Sequence, residues 1–251
     1  MVTFALAVSQ VSADAAANLE TIVRMAHEAA DAGANVVLFP EAALTGLINN
    51  DDPAHDIPLG QPIPGPVTEV LTAVTRARNL WLGVGLLERD GAQLYDAAVL
   101  LSPTGEIVLK YRRISHGWHG RHVDLAVYAH GTGIPAVSTP WARVAFLLCG
   151  DLFDDDLVQR VRTLELDWLL FPFARSFADG ACDQARWDRQ ELGEYAERVR
   201  MAGVTTLLVN SLCGDDLQDD GTFGGAWVIS GAGEVLAQQP LGQDGLLLVT
   251  L

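Results

Sequence analysis

Short apolar segments alternate along this chain with segments whose apolar residues recur at helical spacing. Such alternation indicates buried strands joined by helices, and it favours a layered α/β architecture with the helices outside. The pattern predicts strands at 2–11, 34–41, 80–89, 94–102, 102–111, 142–151, 167–172, 204–210 and 225–238, the last of these a hairpin, and helices at 14–33, 67–79, 155–166 and 185–203. No low-complexity linker divides the chain, so we expect one domain over residues 1–251.

The composition suits a protein with a sizeable core, because 49% of the 251 residues are hydrophobic and only 19% are charged. The formal net charge of −16 argues against binding to nucleic acid or to a membrane surface, since both need basic residues. The N-terminal segment lacks the basic region of a signal peptide, and no apolar stretch approaches the length of a membrane span. Three scattered cysteines do not form a disulfide framework, so we expect a cytoplasmic protein.

Three chemically distinct residues each follow an apolar segment: Glu41 after VVLFP, Lys110 after EIVL and Cys149 after VAFLL. Lys110 is also the only lysine of the chain, which otherwise places arginine at its basic positions. Taken singly, these residues are typical of a solvated turn, a surface charge and core packing. Ligands of open α/β sheets bind beyond the carboxyl ends of the strands, where residues from several strands converge. The joint placement therefore favours a catalytic site.

The segments VVLFPEAALTG, VLKYRRISHG and VAFLLCGDLF resemble the three signature stretches of the nitrilase superfamily, the carbon–nitrogen hydrolases. The resemblance extends over nearly the whole chain. It implies a four-layer αββα sandwich in a single domain, which in this family is usually paired into a homodimer. It also implies a hydrolase that needs neither a cofactor nor a metal.

The resemblance assigns Glu41, Lys110 and Cys149 to a catalytic triad. In such a triad the cysteine thiolate attacks an amide and forms a thioester, while the glutamate moves the protons. Lys110 and the backbone N–H of Gly150 are expected to stabilise the oxyanion. A lysine suits this place because its ammonium is a compact charge on a flexible stem.

The sequence departs from the family pattern at two places near the triad. Where many members carry a second glutamate, this chain has Asp124, followed by Tyr128 and Gly131 at the expected spacings, so we expect Asp124 to replace that glutamate. Gly150 stands where amidase-like members carry an aromatic residue, although Asp151 keeps its expected place. The Cys-Gly-Asp order favours amides over nitriles as substrates.

Other residues are candidates for substrate contact. Trp118 lies in the loop after Lys110, and Phe173 and Arg175 follow the predicted strand at 167–172. Arg175 can bind a substrate carboxylate or form a surface salt bridge, and the sequence leaves both open. The histidines of HGWHGRH are expected to line the entrance to the site rather than to bind a metal.

The sequence thus predicts a hydrolase that cleaves a small amide or ureido compound to acid and ammonia through a Cys149 thioester. Its expected partners are a small-molecule amide and further copies of the chain, as a homodimer or larger homo-oligomer, with no nucleic acid and no membrane. Nitrile hydrolysis and acyl transfer on the same triad remain open. A non-catalytic binding or scaffold protein with this fold is the alternative from another class.

Overall fold

The computed structural model describes residues 1–214 and 221–251. Its strands are β1 (Thr3–Val8), β2 (Gln10–Val11), β3 (Val36–Leu38), β4 (Trp81–Asp90), β5 (Gln93–Leu101), β6 (Ile107–Arg112), β7 (Ala136–Ser138), β8 (Arg143–Phe146), β9 (Trp168–Phe173), β10 (Thr205–Asn210), β11 (Leu212–Cys213), β12 (Ala226–Ile229), β13 (Val235–Gln239) and β14 (Gly245–Thr250). Its α-helices are α1 (Ala15–Asp31), α2 (Pro53–Asp56), α3 (Pro66–Arg78), α4 (Asp155–Arg162), α5 (Gln184–Arg186) and α6 (Leu192–Ala202).

Two six-stranded sheets form the centre of the protein. The first runs in the order β14-β1-β3-β4-β5-β6 and the second in the order β13-β12-β10-β9-β8-β7. In each sheet three consecutive strands are parallel, with one antiparallel strand on one side and two on the other. The two halves of the chain therefore repeat one topology, and the similar turns at 102–106 and 230–234 join equivalent strand pairs.

Four layers result from the way each sheet buries both of its faces. Phe4 and Leu6 of the first sheet pack against Phe146 and Leu170 of the second in one large core cluster. On the opposite face of the first sheet a second cluster includes Ile22 of α1, together with residues of α3. Helices α4 and α6 contact each other on the far side of the second sheet. This is the αββα sandwich that the resemblance implies.

Local sequence explains where the long first helix begins and which face it buries. The Asp14 carboxylate caps α1 by accepting hydrogen bonds from the backbone N–H groups of Ala16 and Ala17. Ile22, Ala26 and Ala29 are buried, and their spacing of four and three residues places them on one helix face. Within residues 1–214 and 221–251, no helix has the length and apolar character needed to cross a membrane.

Strand β6 agrees with the strand predicted at 102–111 to within one residue at its C-terminal end. Lys110 was expected to follow the apolar EIVL segment at the carboxyl end of this strand, but it lies inside β6, because the antiparallel ladder with β5 continues to the pair Ala97↔Arg112. The residue that directly follows this strand is Arg113. The position of Lys110 within the strand decides which basic residue reaches the site.

Candidate active site

Glu41 lies in a sharp turn after β3. Phe39 still donates a hydrogen bond to Gly83 of β4 at 2.8 Å, but Pro40 has no N–H to continue such pairing. The turn packs so tightly against β4 that a Cβ atom at Gly85 would lie 2.6 Å from the Pro40 oxygen and 2.7 Å from the Glu41 Cα. Glycine at 85 therefore lets the turn hold Glu41 in the interior, where it is 1% exposed.

Cys149 begins a short 3₁₀ helix, Cys149–Phe153, that follows β8. Its φ of +41° is in the left-handed region, which is uncommon for a residue other than glycine. Its Sγ atom lies 3.9 Å from the carbonyl oxygen of Ala174, and the residue is half-buried. The sharp change of direction places the thiol at the end of the strand rather than in the core.

Asp151 ties this turn to the loop after β6. Its fully buried carboxylate accepts hydrogen bonds from the Tyr111 hydroxyl at 2.7 Å and from the Leu148 N–H at 3.0 Å. It also accepts from the backbone N–H groups of Ile114 at 3.2 Å and Ser115 at 2.7 Å. One carboxylate thus fixes the cysteine turn relative to the segment that carries Arg113.

Arg113 supplies the cation beside Glu41. Its Nη1 atom donates to Glu41 Oε1 at 2.9 Å and to Asp96 Oδ2 at 3.3 Å, and all three side chains are buried. The Nε atom donates to the Ser115 hydroxyl at 3.0 Å, and Nη2 donates to the His116 carbonyl oxygen at 3.3 Å. A planar guanidinium can make these contacts together because its donors form a rigid fork.

The structure does not bring Lys110 to this site. Side chains alternate between the two faces of a strand, so Leu109, Tyr111 and Arg113 point to the inter-sheet side and Lys110 points away. Its Nζ atom binds Glu88 Oε1 at 2.6 Å on the other face of the sheet, and its side chain is 35% exposed. Arg112 joins the same Glu88 carboxylate with two hydrogen bonds. The structure therefore corrects the predicted triad cation, because Lys110 lies within β6 with its side chain on the opposite face and Arg113 contacts Glu41 instead.

Asp124 is also away from the site. It is exposed, and its Oδ1 atom accepts from the Ala126 N–H at 2.9 Å within its own loop. The second buried carboxylate of the site belongs to Asp96 of β5, which lies opposite Arg113 because Arg113 N–H donates to the Asp96 carbonyl oxygen at 2.8 Å. The predicted replacement of a glutamate by Asp124 is thus corrected, and the sequence reasoning missed Asp96.

Burial and charge shift the proton affinities of these groups strongly. Burial first, and then the negative charge of Cys149, raise the pKa of Glu41 from 4.5 to about 8, against the opposing effect of Arg113. Burial and the neighbouring Glu41 raise the pKa of Asp96 well above its usual value. Burial acts to lower the pKa of Arg113, but the charges of Glu41 and Cys149 outweigh it and raise that pKa. A carboxyl group that can hold a proton near neutral pH therefore lies beside a fixed cation and a thiol.

The Arg113 guanidinium leaves no room for a side chain at residue 150, which explains why this residue is glycine. A Cβ atom at this position would lie 2.6 Å from Arg113 Nη2 and 2.9 Å from the Ser115 hydroxyl. A larger residue after the cysteine would displace one of these groups. As the second residue of the 3₁₀ helix, Gly150 also offers a backbone N–H from the helix N-terminus, where such groups lack intrahelical acceptors.

Two cavities flank the site. The first, of about 440 Å³, is lined by Glu41, Trp118, His119 and Cys213 among others. The second, of about 490 Å³, is lined by Cys149 and Gly150 together with Phe153, Arg175, Gln190, Glu191, Glu194 and Tyr195. Both have the size of small-molecule sites, and the nucleophile candidate opens onto the second.

The three predicted substrate contacts have different positions. Trp118 is 4% exposed and lines the first cavity, and among the described residues its indole Nε1 has no hydrogen-bond partner. Arg175 lines the second cavity, but Glu191 holds its guanidinium by hydrogen bonds of 2.8 and 2.6 Å. Of the two alternatives for Arg175, the structure therefore shows the salt bridge, which is made with Glu191.

Phe173 belongs to the core and lines neither cavity. It is fully buried and stacks on Phe171 with ring centroids 5.5 Å apart. It also contacts the rings of Trp187, Tyr195 and Trp227. The prediction of a substrate contact is corrected, because β9 continues through residue 173 and the side chain faces the core.

The family profile described as carbon–nitrogen hydrolase matches residues 5–251. The chain belongs to the carbon–nitrogen hydrolase family. In the candidate active site of this carbon–nitrogen hydrolase, the cation that contacts Glu41 is the guanidinium of Arg113 and not the expected ammonium of Lys110.

Curated relatives of this carbon–nitrogen hydrolase include nitrilases and amidases. Nitrilase 3 of Arabidopsis thaliana is 28% identical over 158 residues, which are 56% of this chain and 44% of that protein. The chain thus matches less than half of the length of this nitrilase, and the same holds for two further nitrilases. The omega-amidase NIT2 of Mus musculus is 26% identical over 251 residues, covering 95% of this chain and 85% of that protein.

Solved amidase structures share the whole fold. An amidase from Nesterenkonia sp. has a TM-score of 0.78 at 22% identity, and the alignment covers 100% of this chain and 90% of that one. A mutant of the amidase from Nesterenkonia sp. AN1, with a TM-score of 0.80 at 22% identity and coverage of 100% and 93%, shows the Michael addition of acrylamide at its active site cysteine. At this identity the likeness shows the common fold.

Proposed function

We propose that this carbon–nitrogen hydrolase cleaves the C–N bond of a small amide, or of a ureido compound, through a thioester at Cys149. One observation carries the proposal. Glu41, Arg113 and Cys149 form a single cluster in which a buried carboxyl group of raised pKa contacts a fixed, buried guanidinium and lies next to a half-buried thiol. This set contains the base, the cation and the nucleophile that amide hydrolysis through a thioester requires.

Acylation begins when Glu41 takes the proton of the Cys149 thiol. The thiolate then attacks the amide carbon, and the carbonyl oxygen becomes an oxyanion near the Gly150 N–H and the Arg113 guanidinium. The protonated Glu41 gives its proton to the departing nitrogen, so ammonia leaves and a thioester remains. The raised pKa of Glu41 suits both steps, because the group accepts and releases a proton near neutral pH.

Deacylation uses the same groups in reverse. Glu41, again ionised, takes a proton from a water molecule as that water attacks the thioester. The oxyanion forms at the same place, and its collapse breaks the carbon–sulfur bond. The carboxylic acid leaves, and the Cys149 sulfur recovers its proton from Glu41. The sum is one amide and one water converted to one acid and one ammonia.

We expect the acyl part of the substrate to occupy the second cavity, because Cys149 and Gly150 line it. Arg175 and Glu194 also line that cavity and give it a polar wall. We propose that Trp118 contacts the substrate from the first cavity, where its indole N–H can donate to a substrate oxygen. Amides, which carry that oxygen, fit this arrangement better than nitriles.

The proposal includes a cytoplasmic protein with one domain over residues 1–251, which forms a homodimer. The family resemblance supports the homodimer, and the cysteines support the compartment, since Cys149 and Cys182 are free thiols. Light scattering coupled to size-exclusion chromatography tests the homodimer. A mass equal to twice that of the chain supports it, and a monomeric mass contradicts it.

The activity is tested by measuring ammonia release from small primary amides, carbamoyl amines and nitriles. Wild-type protein should release ammonia from amides, and intact-mass spectrometry should detect an acyl adduct on rapid quenching. Cys149→Ala should lose both signals. Cys213→Ala is the matched control, because it also removes a half-buried cysteine that lines a cavity, and it should keep both. A folded Cys149→Ala variant that still hydrolyses amides would overturn the proposal.

A further inference from the structure

Three imidazoles converge in the loop that follows Arg113. The ligand nitrogens of His116, His119 and His130 all lie within 4.8 Å of one another. The ring centroids of His116 and His130 are 4.3 Å apart, and those of His119 and His130 are 5.0 Å apart. The triad uses none of these side chains.

The hydrogen bonds of two of these rings fix their tautomers. His119 Nδ1 lies 2.8 Å from the Gly120 carbonyl oxygen, and His130 Nδ1 lies 3.1 Å from the Ile114 carbonyl oxygen. A carbonyl oxygen only accepts hydrogen bonds, so each Nδ1 atom carries a proton. In the neutral rings both Nε2 atoms are then lone-pair atoms, yet they face each other at 2.9 Å. A proton on one of the two Nε2 atoms, or a metal ion bound by both of them, resolves this conflict.

We propose that His116, His119 and His130 bind a divalent transition metal ion of the zinc type. Ligation through Nε2 with Nδ1–H donated to a backbone carbonyl is the usual arrangement of metal-binding histidines. Nitrogen ligands favour Zn²⁺, Co²⁺, Ni²⁺ or Cu²⁺ over Mg²⁺ and Ca²⁺, which prefer oxygen. Three protein ligands leave at least one coordination position for water or another small ligand.

The three imidazoles need to move only slightly to bind such an ion. Tetrahedral Zn²⁺ with bonds of 2.0–2.1 Å holds its nitrogen ligands about 3.3 Å apart, close to the present separation of the two Nε2 atoms. His116 is exposed, so its ring can move to complete the site. The loop itself is already anchored, since Asn49 Nδ2 donates to the Trp118 carbonyl oxygen and Gly120 N–H donates to Asp51, each at 2.9 Å.

The site lies next to the triad. The His116 carbonyl oxygen accepts from Arg113 Nη2 at 3.3 Å, and His119 lines the first cavity together with Glu41. An ion here would order the loop that holds the triad cation and forms the cavity wall. Metal binding requires none of the triad residues, so its test is independent of the proposed amide hydrolysis.

Titration of metal-free protein with Zn²⁺, followed by calorimetry, tests the site. Cys149→Ala is the background for all variants, so that the triad thiol cannot act as a ligand. We expect one ion per chain, and we expect His119→Asn and His130→Asn to weaken binding by at least about 100-fold. His122→Asn is the matched control, because it removes an exposed imidazole of the same loop that lies outside the cluster, and it should bind like its parent.

Two further readouts separate loss of ligands from loss of fold. Zn²⁺ should raise the thermal midpoint of the parent and of His122→Asn, and it should leave those of His119→Asn and His130→Asn unchanged. Co²⁺ should give the visible spectrum of a nitrogen-ligated ion without a thiolate charge-transfer band. Failure of the parent to bind Zn²⁺, or equal loss of affinity in His122→Asn, would overturn the proposal.

Discussion

Arg113 donates a hydrogen bond of 2.9 Å to Glu41 across the interface between the strand-end turn of β3 and the loop after β6. Both side chains are almost completely buried, so the pair lies in a low-dielectric environment. Asp96 shares the same guanidinium nitrogen at 3.3 Å, which gives the cation two carboxyl neighbours.

Asp96 and Asp124 should differ sharply in mutational effect. Asp96→Asn removes a buried carboxyl group that accepts a hydrogen bond from Arg113, and it should lower kcat/KM by about 10-fold or more, because Arg113 then loses part of its positioning. Asp124→Asn alters an exposed turn and should leave kcat/KM unchanged. Steady-state ammonia release measures both. A loss in Asp124→Asn together with wild-type activity in Asp96→Asn would show that Asp124, and not Asp96, serves the site.

Glu41 should make the protein less stable as the pH rises. Its pKa is about 8 in the folded protein and near 4.5 when unfolded, so between these values only the folded state keeps the proton. Its contribution to the free energy of unfolding is therefore fully present below this window and is lost as the pH rises through it. In urea unfolding, Glu41→Gln should gain stability relative to wild type between about pH 5 and about pH 8. An opposite trend would contradict the raised pKa.

Gly150 and Arg113 should be energetically coupled. Gly150→Ala places a methyl group 2.6 Å from Arg113 Nη2, so it should displace the guanidinium and lower kcat/KM by about 10-fold or more. In an Arg113→Lys background the added methyl group has more room, because an ammonium is smaller than a guanidinium. The loss caused by Gly150→Ala should then be smaller than in wild type.

A double-mutant cycle with Gly150→Ala and Arg113→Lys measures this coupling directly. Gly193→Ala in helix α6 is the control, because among residues 1–214 and 221–251 no atom beyond its chain neighbours and its own helix backbone lies within 4 Å of the added Cβ. It should have the same effect in both backgrounds. Additive effects of Gly150→Ala and Arg113→Lys would contradict a direct contact.

The sequence predicted the α/β layers, Glu41 and Cys149 because each depends on local pattern. Apolar runs and helical periodicity define the strands and helices, and a polar residue after an apolar run marks a strand end. The structure places Glu41 in the turn that follows β3 and Cys149 at the start of the 3₁₀ helix that follows β8.

The sequence pattern assigned Lys110 wrongly and did not identify Asp96. In EIVLKYRR the apolar EIVL run ends before the strand does, so apolar character alone pointed to Lys110 as the residue at the strand end, although Lys110 lies within β6. A signal was present, because Leu109 and Tyr111 alternate with polar neighbours and predict that Arg113 shares their face. Identifying Asp96 as a site residue would have required the register between β5 and β6. That register depends on pairing across a turn, which residue types alone do not fix.

The most direct test compares Arg113→Gln with Lys110→Gln in single-turnover ammonia release from a small primary amide. The triad described above predicts that Lys110→Gln keeps the wild-type acylation rate within about twofold, because Arg112 still pairs with Glu88 on the far face. Arg113→Gln, with folding verified by circular dichroism, should slow acylation by at least about 100-fold. A large loss in Lys110→Gln together with a near-normal rate in Arg113→Gln would contradict the assignment of Arg113 as the cation of this active site.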